Sequence, residues 1–225
     1  MSASSIGPTR YAAWRKTSLG RIVERLEHQA LLGIAPPLRG LNVLDIGCGD
    51  GVLAAEMATE GARVTGIDAD PAMIMAARAT VTEGQFLAGD ACRLPFSDAS
   101  FDLAVMNTVL CLIHDRRAAL AEAARVLRGG GHLLIGELGR WSPWAVIRLM
   151  RVWLGTRLWR QAHFSDARLL AAEMASIGLA VEAMRGAVFF PPWRWAARLM
   201  APFDPALGAR TTVGAAYIAM TAQKI

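Results

Sequence analysis

The chain has 225 residues, of which 54% are hydrophobic and 19% charged, and its formal net charge is +5. A chain of this length buries about 70% of its unfolded surface in a single core, so we predict one domain. The three cysteines show neither paired metal-ligand spacing nor the even number of a disulfide framework, which argues against structural zinc and indicates a reducing compartment. No apolar run reaches the roughly 18 residues that cross a bilayer, so we expect a cytoplasmic protein without a membrane span.

Strand patterns and helix patterns alternate after Gly40, and the residues before it have a helical pattern. This alternation with short loops predicts an α/β fold with a doubly wound parallel sheet and helices on both faces. The glycines at 129–131 predict a break before the fifth strand, and Ser165 predicts the N-cap of the last helix. The predicted strands are 42–46, 63–68, 85–88, 101–107, 132–137, 180–190 and 213–222, and the predicted helices are 51–60, 71–80, 116–127 and 165–177.

Residues 141–163 are rich in tryptophan and arginine, and no acidic residue lies between Glu137 and Asp166. A basic, tryptophan-rich amphipathic segment is typical of a membrane-contacting surface. It is more typical still of a lid that packs on its own core while its arginines extend to water, and nucleic acid is a third, less favoured partner. Residues 191–203 repeat this composition, so we expect peripheral membrane contact, at the inner membrane face, through 141–160 and 191–203.

A glycine-rich loop follows the first predicted strand, where residues 43–51 read Val-Leu-Asp-Ile-Gly-Cys-Gly-Asp-Gly. A strand, a glycine loop and a helix in this order form a nucleotide site at the carboxyl end of a parallel sheet, although glycine turns also serve simple packing. Asp68 ends the second strand 21 residues after Gly47 (68 − 47). Acids at about this interval bind ribose hydroxyls in dinucleotide folds, so we predict that Asp68 binds a ribose.

Asp45 distinguishes between two kinds of nucleotide ligand. It lies two residues before Gly47, where its carboxylate attracts the cationic sulfonium and ammonium end of S-adenosylmethionine and repels a pyrophosphate. The loop also lacks the G-x-G-x-x-G spacing of dinucleotide enzymes. S-adenosylmethionine is therefore favoured, and an NAD-dependent oxidoreductase is the alternative from another enzyme class.

These residues resemble the class I S-adenosylmethionine-dependent methyltransferases, in the branch that includes the ubiquinone and menaquinone biosynthesis C-methyltransferases. The resemblance covers nearly the whole chain. It implies a Rossmann-like sheet of seven strands in the order 3-2-1-4-5-7-6, with the last strand antiparallel, and S-adenosylmethionine as the cofactor. The matching segments are 43–51, Asp68, 89–91, 95–102 and 125–131.

The resemblance also implies the cofactor-binding residues by position. The methionine part lies against the glycine loop, the ribose against the end of the second strand, the adenine after the third strand, and the sulfonium against the end of the fourth. Aromatic residues near the N-terminus resemble a lid over the sulfonium, although they could equally anchor the first helix to the core. These residues are Asp45, Gly47, Cys48 and Gly49, then Asp68 and Ala69, then Asp90 and Ala91, then Asn107, and in the lid Tyr11 and Trp14.

We divide the expected single domain into four parts. Residues 1–40 form a helical lid, 41–137 the cofactor-binding core, 138–164 the Trp/Arg-rich insertion, and 165–225 the closing helix and strands. In this family, insertions after the fifth strand usually cover the acceptor site.

Methyl transfer from a sulfonium is an in-line displacement, so a base is needed only for acceptors that lose a proton. His114 and Glu137 are the candidate catalytic residues, with a capping or solvated histidine and a substrate-binding or capping acid as the structural alternatives. We expect a small, lipophilic or aromatic acceptor. A nucleic-acid amino-methyltransferase would carry Asn/Asp-Pro-Pro-aromatic where residues 107–110 read Asn-Thr-Val-Leu. A family member with non-methylating quinone or lipid chemistry is the remaining alternative.

Overall fold

The computed structural model describes residues 8–153 and 163–225. Seven strands form one sheet in the order β3-β2-β1-β4-β5-β7-β6, in which the last strand runs antiparallel to both of its neighbours. This confirms the predicted fold class and strand order. The strands are β1 Asn42–Ile46, β2 Arg63–Asp68, β3 Gln85–Ala88, β4 Phe101–Asn107, β5 Leu127–Leu138, β6 Leu179–Ala187 and β7 Tyr217–Lys224. The helices are α1 Pro8–Arg15, α2 Ser18–Leu32, α3 Val52–Thr59, α4 Pro71–Thr80, α5 Arg116–Val126, α6 Pro143–Trp153, α7 Ala167–Ala175, α8 Arg194–Met200 and α9 Asp204–Gly208, with a 3₁₀ turn at Ala201–Phe203.

The two faces of the sheet are covered by different helices. Successive strand residues point to opposite faces, so Val43 packs in a cluster with residues of α2, α3 and α8, while Leu44 packs in a cluster with residues of α5 and α7. Asp45 therefore points to the same face as Val43, towards α2. The prediction of helices on both faces is confirmed.

Two predicted boundaries are wrong, and both have a local cause. The fifth strand begins at Leu127 and includes the three glycines, because Leu127 pairs with Phe101 before a register shift in the β4–β5 ladder. Ser165 does not cap α7, since the Asp166 carboxylate accepts the Arg168 N–H at 2.9 Å in that role. Ser165 instead forms an isolated bridge with Gly139 beyond the end of β5.

The C-terminal region also differs from the sequence prediction. The two last strands are shorter than expected, since β6 ends at Ala187 and β7 begins at Tyr217. Helices α8 and α9 lie between them and were not predicted. Asp204, at the start of α9, is buried and accepts the N–H groups of Val188 and Phe189 at 2.8 and 2.9 Å. This carboxylate turns the chain after β6, so the strand ends earlier than its apolar pattern suggests.

Helix α6 forms the first part of the Trp/Arg-rich insertion, and the remainder, residues 154–162, lies outside the described residues. Within the described residues, none of the helices has the length and apolar character needed to cross a bilayer.

Candidate cofactor site

The glycine loop turns over the end of β2. The N–H groups of Gly47 and Cys48 both donate to the carbonyl of Ile67, at 2.6 and 3.0 Å. Gly47 has a positive φ of 73°, and a Cβ at this position would overlap the side chain of Val109. Gly49 also has a positive φ, of 54°, and no atom lies within 4 Å of the position that its Cβ would take. The loop therefore packs tightly at Gly47 and leaves open space beside Gly49.

Asp68 holds this loop in place from the end of β2. One carboxylate oxygen accepts the N–H of Gly49 at 2.9 Å, and the other accepts the N–H of Asp70 at 2.9 Å. A carboxylate has about four acceptor positions, so each oxygen retains a lone pair after these bonds. Asp68 is thus an oriented acceptor at the mouth of the loop, with capacity for two hydroxyl donors.

Asp45 is buried at 2% exposure, and its Oδ2 atom has no hydrogen-bond partner. Burial and, to a smaller extent, the neighbouring charge of Asp68 raise the pKa of this carboxyl from 3.8 to about 7, while the charge of His28 lowers it. A buried, unsatisfied carboxylate oxygen is rare in folded proteins because it is costly. Such a group is typical of a binding site for a positively charged ligand.

Residues after β3 come close to Asp68. The N–H of Gly89 donates to the Asp68 carbonyl at 3.0 Å, which brings the segment containing Asp90 and Ala91 next to the end of β2. Asp90 is exposed and accepts the Cys92 N–H at 2.8 Å, so its carboxylate closes a local turn. Ala69 is also exposed beside these residues. The structure therefore brings the predicted ribose and adenine positions together.

Cys48 and Asn107 are oriented by contacts that sequence analysis does not reveal. The Cys48 thiol is buried close to Gly66 of β2, and burial raises its pKa. The Asn107 carboxamide oxygen accepts the Tyr217 hydroxyl at 2.8 Å, and a Cβ at Gly136 would overlap that hydroxyl. Tyr217 is a residue that sequence reasoning missed, because it lies 110 residues away on β7.

The N-terminal helix lies on the glycine loop. Arg15, at the end of α1, forms an ion pair with Asp50 in the loop and a second one with Glu24 of α2 at 3.2 Å. Trp14 is partly buried and packs against the core cluster on the α2 face. The side chain of Tyr11 lies outside the described residues. The Arg15–Asp50 pair, which the sequence did not reveal, attaches the predicted lid to the cofactor loop.

His114 is exposed in the loop between β4 and α5. It does not cap the following helix, because the Asp115 carboxylate accepts the Ala118 N–H at 2.9 Å and performs that role. His163, which was not predicted as a site residue, lies against this loop, because its N–H donates to the Cys111 carbonyl at 2.9 Å. Both imidazoles are exposed near the carboxyl end of β4.

Glu137 is fully buried and has several partners. It accepts the Cys111 N–H at 3.2 Å and the Ser165 hydroxyl at 3.1 Å, and the Arg116 guanidinium lies 3.6 Å from it. Burial raises the pKa of this carboxyl to about 7, and the charge of Arg116 opposes that rise. Glu137 therefore joins the β4–α5 loop, α5 and the segment before α7 at the end of β5.

Comparison with known proteins places this geometry in a family. A methyltransferase domain model matches residues 44–135, which contain the glycine loop, Asp68 and the segment after β3. A Thermotoga maritima protein, described as an S-adenosylmethionine-dependent methyltransferase and possible histamine N-methyltransferase, shares 25% identity over 96% of both chains with a TM-score of 0.79. The chain belongs to the class I S-adenosylmethionine-dependent methyltransferase superfamily.

Relatives within the superfamily have more than one named activity. A demethylmenaquinone methyltransferase of Beutenbergia cavernae is 36% identical over 57% of this chain and 52% of its own length. A malonyl-[acyl-carrier protein] O-methyltransferase of Erwinia billingiae is 37% identical over 52% of this chain and 46% of its own. The chain thus spans about half the length of these curated relatives.

The residues at the carboxyl ends of β1 and β2 fit S-adenosylmethionine, the cofactor of this superfamily. The free oxygen of Asp45 complements a cationic amino-acid group, and the lone pairs that Asp68 retains complement a ribose diol. The open space beside Gly49 lets a ligand approach the backbone. A pyrophosphate in the same place would meet the negative charges of both carboxylates.

Proposed function

We propose that this protein transfers a methyl group from S-adenosylmethionine to a small, lipophilic or aromatic acceptor. The observation that carries the proposal is the buried Asp45 carboxylate, whose Oδ2 atom has no partner in the protein. A cationic ligand would provide that partner and offset the cost of burying the charge. An NAD-dependent oxidoreductase gains nothing from this carboxylate and is disfavoured.

The chain's own residues would bind and align the reactants. Asp45 and the glycine loop would hold the amino-acid part of the cofactor, Asp68 the ribose, and the segment at Asp90 and Ala91 the adenine. When bound, the cofactor supplies an activated methyl group on a sulfonium. Helix α1, attached to the loop through Arg15, would limit the access of water to this crevice.

The proposed acceptor is supported by the apolar residues that surround the carboxyl ends of β4 and β5. Leu112, beside His114, is 58% exposed, and Trp141, shortly after β5, is 63% exposed. Exposed apolar side chains beside a binding site favour a lipophilic ligand. The names of the relatives support a small or carrier-bound acceptor in the same way, although those activities belong to the relatives.

Calorimetric titration with S-adenosylmethionine, S-adenosylhomocysteine and NADH tests the cofactor assignment. We expect the two sulfur compounds to bind and NADH not to bind. Asp68→Ala removes an acceptor for two hydroxyls, so it is expected to weaken binding about a hundredfold. Asp98→Ala is the matched control, because it removes the same charge from a side chain that is 78% exposed, at a distant ion pair with Arg125.

Two results would contradict the proposal. If neither sulfur compound binds, or if NADH binds in their place, the cofactor assignment is wrong. If both bind but no S-adenosylhomocysteine forms with any quinol, phenol or acyl-carrier substrate, the protein is instead a family member with non-methylating chemistry.

We further propose that His114, and not Glu137, acts as the base for an acceptor that must lose a proton. His114 is exposed at the end of β4, whereas Glu137 is enclosed and bound by three partners. His114→Gln is expected to lower kcat about a hundredfold, with little change in KM. His163→Gln is the neighbouring control. If His163→Gln has the larger effect on kcat, the base is assigned to the wrong imidazole.

A further inference from the structure

Helices α6 and α8 both pack on the core cluster that covers the α2 face of the sheet. Trp144 of α6 is buried, and its indole N–H donates to the Phe190 carbonyl at 2.7 Å, just before α8. Ala196 and Ala197 of α8 pack in the same core cluster as Trp144. Their buried sides therefore fix both helices to the protein, and within the described residues their outer sides are exposed.

Large apolar side chains cover these outer sides. Trp195 is 66% exposed and Phe203 is 71% exposed, values that are unusual for residues of this size. The rings of Trp193 and Trp195 stack at 5.9 Å between centroids, so two indoles project together. We name the following set the α6–α8 face: Val146, Leu149 and Met150 of α6, and Trp193, Trp195, Leu199, Met200 and Phe203 of the α8 region.

Arginine supplies the charge beside these apolar residues. Arg194 and Arg198 of α8 are both exposed. In the chain, Arg194 lies between the two tryptophans and Arg198 directly precedes Leu199. The sequence contains no Asp or Glu from 138 to 165 or from 183 to 203. The acids that end these intervals are already bound, since Asp166 accepts the Trp141 indole N–H at 2.9 Å and Asp204 is buried against two backbone N–H groups. The α6–α8 face is therefore apolar and cationic, with no free carboxylate on these segments.

We propose that the α6–α8 face docks on the surface of a lipid bilayer that contains anionic lipid. Tryptophan, leucine and phenylalanine insert at the boundary between headgroups and acyl chains, and arginine binds lipid phosphates. A nucleic acid would bind the arginines and stack on the indoles, but it would leave Leu199, Met150 and Val146 in water. A bilayer satisfies both the aliphatic and the cationic side chains.

This docking does not depend on methyl transfer, because the face involves neither the glycine loop nor the carboxylates of the cofactor site. Failure of vesicle binding would therefore leave the cofactor assignment intact, and failure of cofactor binding would leave the docking surface intact.

Flotation of the full-length protein with vesicles tests the proposal directly. We expect binding to vesicles of phosphatidylcholine mixed with phosphatidylglycerol, weaker binding to phosphatidylcholine alone, and loss of binding as the NaCl concentration rises. Arg194→Gln combined with Arg198→Gln is expected to reduce partitioning about twenty-five-fold, since each basic residue near an anionic surface contributes about fivefold. Trp195→Ser combined with Leu199→Ser is expected to reduce it by about tenfold or more, because both insert apolar area.

The matched controls lie on α7, which packs on the opposite face of the sheet. Leu169→Ser removes a leucine that is 62% exposed, against 65% for Leu199, and Arg168→Gln removes an exposed arginine. Neither control is expected to change vesicle binding. The proposal would be overturned if the α7 and α8 variants lost vesicle binding to the same extent. It would also be overturned if the unaltered protein did not bind anionic vesicles. A concentration-dependent dimer in sedimentation that Leu199→Ser abolishes, without vesicle binding, would show that a second copy covers the face.

Discussion

Replacing Asp45 by asparagine is expected to make the protein more stable at neutral pH. The carboxyl has a folded-state pKa of about 7, above its ordinary 3.8, because it is buried. A raised carboxyl pKa contributes stability below pH 4 that is lost as the pH rises towards 7. Above pH 7 the ionised carboxylate costs about 2–4 kcal/mol of unfolding free energy. The carboxamide of the variant would carry no such charge.

The free energy of unfolding of Asp45→Asn should therefore exceed that of the unaltered protein by about 2–4 kcal/mol at pH 8 and by almost nothing at pH 4. Thermal or urea unfolding of both proteins across this pH range measures the difference. Asp98→Asn is the control, because that side chain is 78% exposed and should show no such pH dependence. An Asp45→Asn variant that is less stable at pH 8 would mean that the carboxylate has partners within the folded protein.

The same substitution is expected to weaken binding of S-adenosylmethionine by about tenfold to a hundredfold, because a hydrogen bond to a charged group is lost. In the unaltered protein, affinity should rise between pH 6 and pH 8 as Asp45 ionises, and binding at pH 6 should release a proton. Calorimetry in buffers of different ionisation enthalpy measures that proton. Equal affinity and equal pH dependence in Asp45→Asn would remove this residue from the site.

Truncation of Glu137 to alanine is expected to destabilise the protein most. The free energy of unfolding should fall by about 3–5 kcal/mol. The change would leave the Cys111 N–H and the Ser165 hydroxyl without an acceptor and would remove a buried partner of Arg116. Glu173→Ala is the matched control. Glu173 pairs with the same Arg116 at 3.0 Å, but its side chain is 43% exposed, so its loss should cost at most about 1 kcal/mol.

Glu137→Gln separates a positioning role from a catalytic one. Glutamine keeps an acceptor for the Cys111 N–H, so we expect a folded enzyme with kcat reduced by less than about tenfold. If Glu137 were the general base, this change would lower kcat about a hundredfold or more. Urea unfolding together with steady-state kinetics of the two variants provides the measurement. A stable Glu137→Gln enzyme with a kcat reduced by two orders of magnitude would restore the catalytic assignment.

The local geometry of the candidate cofactor site was predictable because its determinants lie close together in the chain. The first strand leads into Gly47 and the second ends in Asp68, and these ends meet because the two strands are parallel neighbours. The loop N–H groups of Gly47 and Cys48 then donate to the Ile67 carbonyl near the end of β2. The positive φ angles at Gly47 and Gly49 require glycine at those positions. The resemblance to a known family added the strand order, which periodicity alone does not encode.

The partners of these residues were decided only by the tertiary structure. Tyr217 reaches Asn107 from a strand 110 residues away, Arg15 reaches Asp50 across 35 residues, and Arg116 lies 3.6 Å from the buried Glu137. The assignment of Ser165 as a helix cap was wrong because the adjacent Asp166 caps α7, while the Ser165 hydroxyl donates to the buried Glu137. Capping and turn preferences act over a few residues, so chain order encodes them. The packing of the helices decides which distant side chains satisfy a buried polar group. That packing exists only in the folded protein.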